Sequence, residues 1–160
     1  MDAATLTSSS ARQTEAAAEA LADSVRAGDV ILISGEVGTG KTTFVRGACR
    51  GLGVGETVTS PSFTIGQRYE GRLPVSHVDL FRLDSIEGED PGLLDDYLDP
   101  GSVTFVEWPQ AAGALLRGEV VTLRVELVHT GHDLREMEAT GAPRLVEPLV
   151  VVLGAAKHVQ

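Results

Sequence analysis

Gly35-Glu36-Val37-Gly38-Thr39-Gly40-Lys41-Thr42 satisfies the phosphate-loop pattern G-x-x-x-x-G-K-[ST] at every fixed position. The pattern constrains the fold because such a loop works only between a strand and a helix. Both flanks are present. Asp29-Val30-Ile31-Leu32-Ile33 is a short apolar, β-branched run that reads as a buried strand, and Thr42 to Leu52 reads as a helix. The glycines let successive N–H groups curl into one concavity, which holds phosphates together with the positive end of the helix. On that chemistry the backbone from Gly35 to Thr43 binds nucleotide. Lys41 reaches the β- and γ-phosphates, and the Thr42 hydroxyl binds Mg2+. The chain has only two lysines, Lys41 and Lys157, so a lysine at this point of the pattern is not a by-product of a lysine-rich composition.

The rest of the chain continues the alternation of strands and helices. Residues 1–8 are small and polar and are expected to fray. Ala11 to Ala27 reads as a helix closed by Gly28. Residues 62–69 and 75–81 read as strands around a turn at Glu70-Gly71. The acidic stretch 85–101 carries one short helix near 93–98, on a solvated face. Val103 to Val106 is a buried strand, and Ala111 to Arg117 a short helix. Residues 120–128 and 134–140 read as a hairpin. The tail, 144–153, is open: its valines favour a strand, while Leu145, Val146, Leu149 and Val150 fit a helical face interrupted by Pro148. These elements predict a single domain over 1–160. Its class is α/β: a phosphate-loop, three-layer domain with a mostly parallel central sheet and C-terminal antiparallel strands.

Composition narrows the partners. A formal net charge of −10 argues against autonomous nucleic-acid binding, because a protein that grips RNA or DNA alone must neutralise phosphates. It leaves room for a role beside subunits that hold RNA. No apolar run approaches the length of a membrane span, and Met1 to Thr5 lacks the basic and apolar regions of a leader, so a cytoplasmic location is expected. The single cysteine, Cys49, reads as packing.

A phosphate loop alone means that a nucleotide is bound. Hydrolysis needs an acid on the metal side, at the end of a neighbouring strand. Asp79 ends Val75-Ser76-His77-Val78-Asp79, and Glu107 ends Val103-Thr104-Phe105-Val106-Glu107. Thr59-Ser60-Pro61-Ser62-Phe63-Thr64 offers four hydroxyls around a proline, either as a switch that senses the γ-phosphate or as an ordinary turn. Trp108 follows Glu107 and precedes Pro109, at the rim of the site, either packing or contacting nucleotide. His77 shares a strand face with Asp79 and reads as a core or network histidine. Arg46 and Arg50 share a helix face and read as surface ion pairs. His129 and His132 lack the other ligands of a metal site.

The loop with Thr43-Phe44, then Ser60-Pro61-Ser62-Phe63-Thr64, then His77-Val78-Asp79-Leu80-Phe81-Arg82-Leu83, then Val106-Glu107-Trp108-Pro109-Gln110 resemble the TsaE (YjeE) family of small bacterial phosphate-loop ATPases. The resemblance spans roughly residues 5 to 155, in the family's order and spacing. It implies work with a TsaB–TsaD pair in forming N6-threonylcarbamoyladenosine beside the anticodon of tRNAs that read ANN codons. ATP hydrolysis would reset that complex, and tRNA would be met only through it. It implies ATP and Mg2+ as cofactors, with Thr42 and Glu107 as metal ligands. Asp79 would be a second acid, coordinating through water or orienting the nucleophile. Ser60 to Thr64 would be the switch, with Thr64 at the nucleotide, and Trp108 would pack beside it. The polar segment around Ala11 would lie near the adenine. Val37 and Thr39 replace the family's usual Leu and Ala, at positions where backbone amides make the phosphate contact.

Two rival readings remain. A small-molecule kinase commonly has an arginine-bearing lid; here Arg117, Arg124, Arg135 and Arg144 are widely spaced and fall mostly in strands. A nucleotide-gated binding module with little turnover would use the same loop and switch. A GTPase is disfavoured, since the usual guanine motif needs asparagine and the chain has none.

Overall fold

Strands covered on both faces need unbroken apolar sequence, and the most apolar strands lie at the centre of the sheet. The structure is a computed structural model that describes residues 1–61, 65–81, 83, 92, 94–116 and 121–154. In chain order its elements are strand β1 (Asp2–Ser8), helix α1 (Ala11–Leu21), strand β2 (Val30–Ser34), helix α2 (Lys41–Gly51), and strands β3 (Gly66–Glu70), β4 (Pro74–Asp79) and β5 (Val103–Glu107). The hairpin β6 (Leu123–Gly131) and β7 (Leu134–Gly141) follows, and then helix α3 (Pro143–Leu153). The seven strands form one sheet in the order β1-β7-β6-β2-β5-β4-β3. The pairings of β2 with β5 and β6, and of β5 with β4, are parallel; the others are antiparallel. The expected parallel centre and C-terminal antiparallel strands are therefore present. The far edge, β3, is antiparallel as well.

The sheet divides the interior by side-chain phase. Ile31, Ile33, Phe105, Val125 and Leu127 face α1, α2 and α3 in one continuous core. Val30, Leu32, Val78 and Val106 face a thinner cover that includes Leu94 and Leu116. The cover comes partly from Pro109–Leu116, a 3-10 stretch broken at Gly113. An α-helix over 111–117 was expected there; Gly113, at φ 53° and ψ −124°, interrupts it, and Arg117 lies outside the described residues.

The N-terminus departs from expectation. Residues 2–8 do not fray but pair with β7 along their whole length. Ala4, Leu6 and Ser8 point inward and are buried, and the Ser8 and Thr14 hydroxyls bond at 2.8 Å. The small residues concealed a period-2 pattern with only one bulky member, Leu6. Helix α1 is capped by Ser10, whose side chain accepts from the Gln13 N–H at 3.1 Å. It stops at Leu21 rather than Ala27, because a 3-10 turn over Ala22–Ser24 leads into extended Val25. The Asp29 carboxylate then accepts from the Arg26 N–H. The strand expected over 75–81 ends at Asp79; of that expected over 62–69, Gly66 onward is strand, while residues 62–64 lie outside the described residues. Near 93–98 a single turn replaces the expected helix, with the Leu98 N–H donating to the Leu94 carbonyl; Leu93 lies outside the described residues. The tail is a helix. Pro143 starts it, and Leu145, Val146 and Leu149 bury one face against the core despite Pro148.

Among the described residues no helix is long and apolar enough to cross a membrane. Cys49 is buried in the core, which pushes its thiol up to about 12.

Candidate functional site

Strand register brings the candidate acids to the loop. Asp79 pairs with Glu107, and Glu107 with Ile33, so the ends of β4 and β5 lie level with the end of β2. The next residues after β2 form the glycine loop, at the carboxyl edge where open α/β sheets bind ligands. Three of its glycines have positive φ: 147° at Gly35, 83° at Gly38 and 105° at Gly40. At Gly35 close approach adds to that requirement, since a Cβ there would lie 2.5 Å from the Leu127 carbonyl oxygen.

A cavity of about 470 Å³ opens over the loop. Val37, Gly38, Gly40, Lys41, Thr42 and Thr43 form its floor, and Asp79, Glu107 and Trp108 stand in its walls. Gly35 and Glu36 serve from behind. Their carbonyls accept from Lys41 Nζ at 2.7 and 2.8 Å, so the lysine is folded onto the loop's own oxygens. Thr39 is buried inside the loop, its hydroxyl donating to the Glu36 carbonyl at 2.9 Å. Burial holds the Lys41 amine below its ordinary value, against the opposing charges of Glu107, Asp79 and Glu36.

Thr42 and Glu107 meet directly. The Thr42 hydroxyl lies 3.0 and 2.9 Å from the two carboxylate oxygens of Glu107, and 2.7 Å from the Ser60 hydroxyl. A hydroxyl has one proton. Thr42 therefore donates to Glu107 and accepts from Ser60. On its other side Glu107 Oε2 lies 2.6 Å from His77 Nε2. His77 is fully buried, and a carboxylate can only accept, so Nε2 carries the proton; His77 Nδ1 has no partner among the described residues. Glu107 is thus a buried carboxylate held by hydroxyl and imidazole donors. Asp79 lies one strand away, its Oδ1 accepting from the Phe81 N–H at 2.9 Å. Its carboxyl sits above the usual carboxylate value, chiefly through burial and further through the charge of Glu107, with the Phe81 N–H opposing. Hydroxyl and carboxylate oxygens gathered beside a phosphate loop are the hard donor set that suits Mg2+. Among the described residues no cluster of three or more His, Cys, Asp or Glu competes with it as a metal site.

Trp108 turns sharply, at φ 55°. Lys41 Nζ lies 4.2 Å from its ring centroid and the Phe81 ring 4.9 Å away. The indole therefore stands at the lysine end of the cavity. Ala11, expected near the adenine, is exposed at the start of α1 and does not line the cavity. Thr64 lies outside the described residues, as do Ser62 and Phe63, so of the expected switch only Thr59 to Pro61 is described. Arg46 and Arg50 both reach Glu15 on α1, at 3.8 and 2.5 Å.

Sequence reasoning did not assign a role to Ser60 apart from its segment, to the His77 contact with Glu107, or to Arg135 in the cavity wall. For Arg135 a signal existed: it is in phase with buried Met137 and Ala139 along β7.

A family model described as "Threonylcarbamoyl adenosine biosynthesis protein TsaE" matches residues 8–137. The chain is 38 % identical over 138 residues to the tRNA threonylcarbamoyladenosine biosynthesis protein TsaE of Bacillus subtilis, covering 86 % of this chain and 85 % of that protein. It is 37 % identical over 126 residues to the protein of the same name from Streptomyces coelicolor, covering 76 % and 85 %. The crystal structure of Bacillus subtilis YdiB superposes with a TM-score of 0.75 at 31 % identity, covering 96 % of both chains.

Proposed function

The chain belongs to the TsaE family and serves tRNA threonylcarbamoyladenosine biosynthesis; on that premise we propose that it binds and hydrolyses Mg–ATP to drive a conformational cycle in that pathway. The observation that carries the reading is the Thr42 hydroxyl set between Ser60 and the buried Glu107, one residue after Lys41. In the bound state loop amides hold the phosphates, and Lys41 exchanges the Gly35 and Glu36 carbonyls for phosphate oxygens. Thr42 and Glu107 would hold Mg2+, which would supply positive charge against the phosphates. Asp79 would orient the attacking water. Trp108 and Phe81 wall the lysine end against bulk solvent. His77 keeps the Glu107 carboxylate in place.

The partner in this reading is a TsaB–TsaD pair, which makes the modification while this chain resets it, and tRNA is met only in the complex. Turnover of the isolated chain is slow. A kinase lid finds no candidate in Arg144, which forms a bidentate pair with Asp29 at 2.6 and 2.8 Å, or in Arg124, which donates to the Leu116 carbonyl.

ATPase assays with and without a TsaB–TsaD pair test the reading. The pair should stimulate phosphate release, with no small acceptor phosphorylated, and Lys41→Ala should remove tight ATP binding. An unstimulated rate, or unchanged affinity in Lys41→Ala, refutes it.

A further inference from the structure

The cavity that holds Glu107 has a second cation in its wall. Arg135 lines it, and its Nε and Nη1 are buried with no hydrogen-bond partner among the described residues. Among the described residues no carboxylate pairs with it. Guanidinium nitrogens withdrawn from water without a partner are costly, so their place in a fold calls for an anion. Its alignment is specific. A Cβ built on Gly40 would lie 3.4 Å from Arg135 Nε and 3.8 Å from both Arg135 Cδ and Thr43 Cβ. Arg135 Nε and Cδ therefore lie against Gly40, the residue just before α2. In a phosphate loop the lysine serves the β- and γ-phosphates, whereas the backbone amides cradle the α- and β-phosphates. The lysine end already has its cation and its aromatic wall.

We propose that Arg135 binds the α-phosphate of the nucleotide through its planar fork, making the loop a reader of nucleoside diphosphates and triphosphates alike. The inference rests on the reading of this cavity as a nucleotide site and adds a second cation to it. A planar fork with two donors on one anion gives charge-assisted bonds that a lysine cannot reproduce. Because the α-phosphate is common to ADP and ATP, the contact adds equally to both affinities and does not act on the transferring phosphoryl group.

Titration of ADP and of ATP, with Mg2+, into wild type, Arg135→Gln, Arg135→Lys and Lys41→Ala separates the possibilities, with melting of each unliganded protein as a control. Arg135→Gln should weaken ADP and ATP by the same factor, on the order of tenfold or more, with Arg135→Lys in between. If Gln destabilises the fold, the Lys variant carries the comparison. Wild-type ADP affinity in both variants overturns the proposal and leaves a packing role. Normal affinities with slower ATP turnover overturn it in favour of a group acting on the γ-phosphate. If wild type binds neither nucleotide, or Lys41→Ala binds as wild type, the nucleotide-site reading itself fails.

Discussion

Helix α2 is two structures in eleven residues. Its first turn, Lys41 to Thr43, is polar, faces the cavity and meets Glu107 and Ser60. Its body, Phe44 to Gly51, presses closely against α1. A Cβ on Gly47 would fall 2.3 Å from the Glu15 carbonyl oxygen, and one on Gly51 2.5 Å from that of Glu19. The first turn holds a buried carboxylate with polar donors, which is poor for stability and useful to a cation. The second part buries apolar surface and can do no chemistry. Substitutions should therefore divide into those that stop turnover and those that unfold the chain.

The largest effect belongs to the first turn. Glu107→Ala should lower ATP turnover by about a hundredfold or more, nearly 3 kcal/mol of barrier. It removes the carboxylate that Thr42 and His77 address. Stability should fall by roughly 1–3 kcal/mol, because the buried His77 Nε2–H loses its acceptor, offset in part by relief of a buried charge. Turnover and urea denaturation on the same sample decide it. A variant that turns over normally, or that unfolds outright, breaks the division.

Gly47→Ala should show the reverse. The added methyl meets backbone, which cannot rotate away, so α1 and α2 must separate. Overpacking of this kind costs roughly 1–3 kcal/mol. The folded fraction should still bind nucleotide, since Gly47 is not among the residues that line the cavity. An unchanged denaturation midpoint would mean that the helices have slack the geometry does not show.

The same division explains what the sequence could and could not reveal. The loop, β2, β5 and both acids were legible because each depends on local pattern: fixed glycines, a β-branched run, and an acid closing a strand. Strand β1 was not, since Ala4 and Ser8 carry little hydrophobic signal and their burial depends on β7, more than a hundred residues away. The C-terminal helix had a balanced signal that α1 decided by offering a surface to Leu145 and Leu149. Arg135 was legible as in phase with Met137 and Ala139, but not as part of the site. The burial of its Nε and Nη1, and its position against Gly40, arise where two distant segments cross.

The smallest effect tests the polar end from within. Asp79 is raised above the ordinary carboxylate value mainly by burial, so the folded protein holds its proton to higher pH than the unfolded chain does. Between those two values the folded state binds more protons, and stability falls as pH rises through the window. Above the folded value the charged carboxylate opposes folding in full. Asp79→Asn removes that charge and keeps an oxygen for the Phe81 N–H. The variant should match wild type in melting temperature near about pH 3, where the carboxyl is mostly protonated in both states. It should melt higher at neutral pH, in protein free of nucleotide and metal. With Mg–ATP present the order should reverse, because the cation that tolerates the carboxylate binds wild type better. A difference that stays flat across pH would show that Asp79 is solvated well enough to belong with the surface rather than with Glu107.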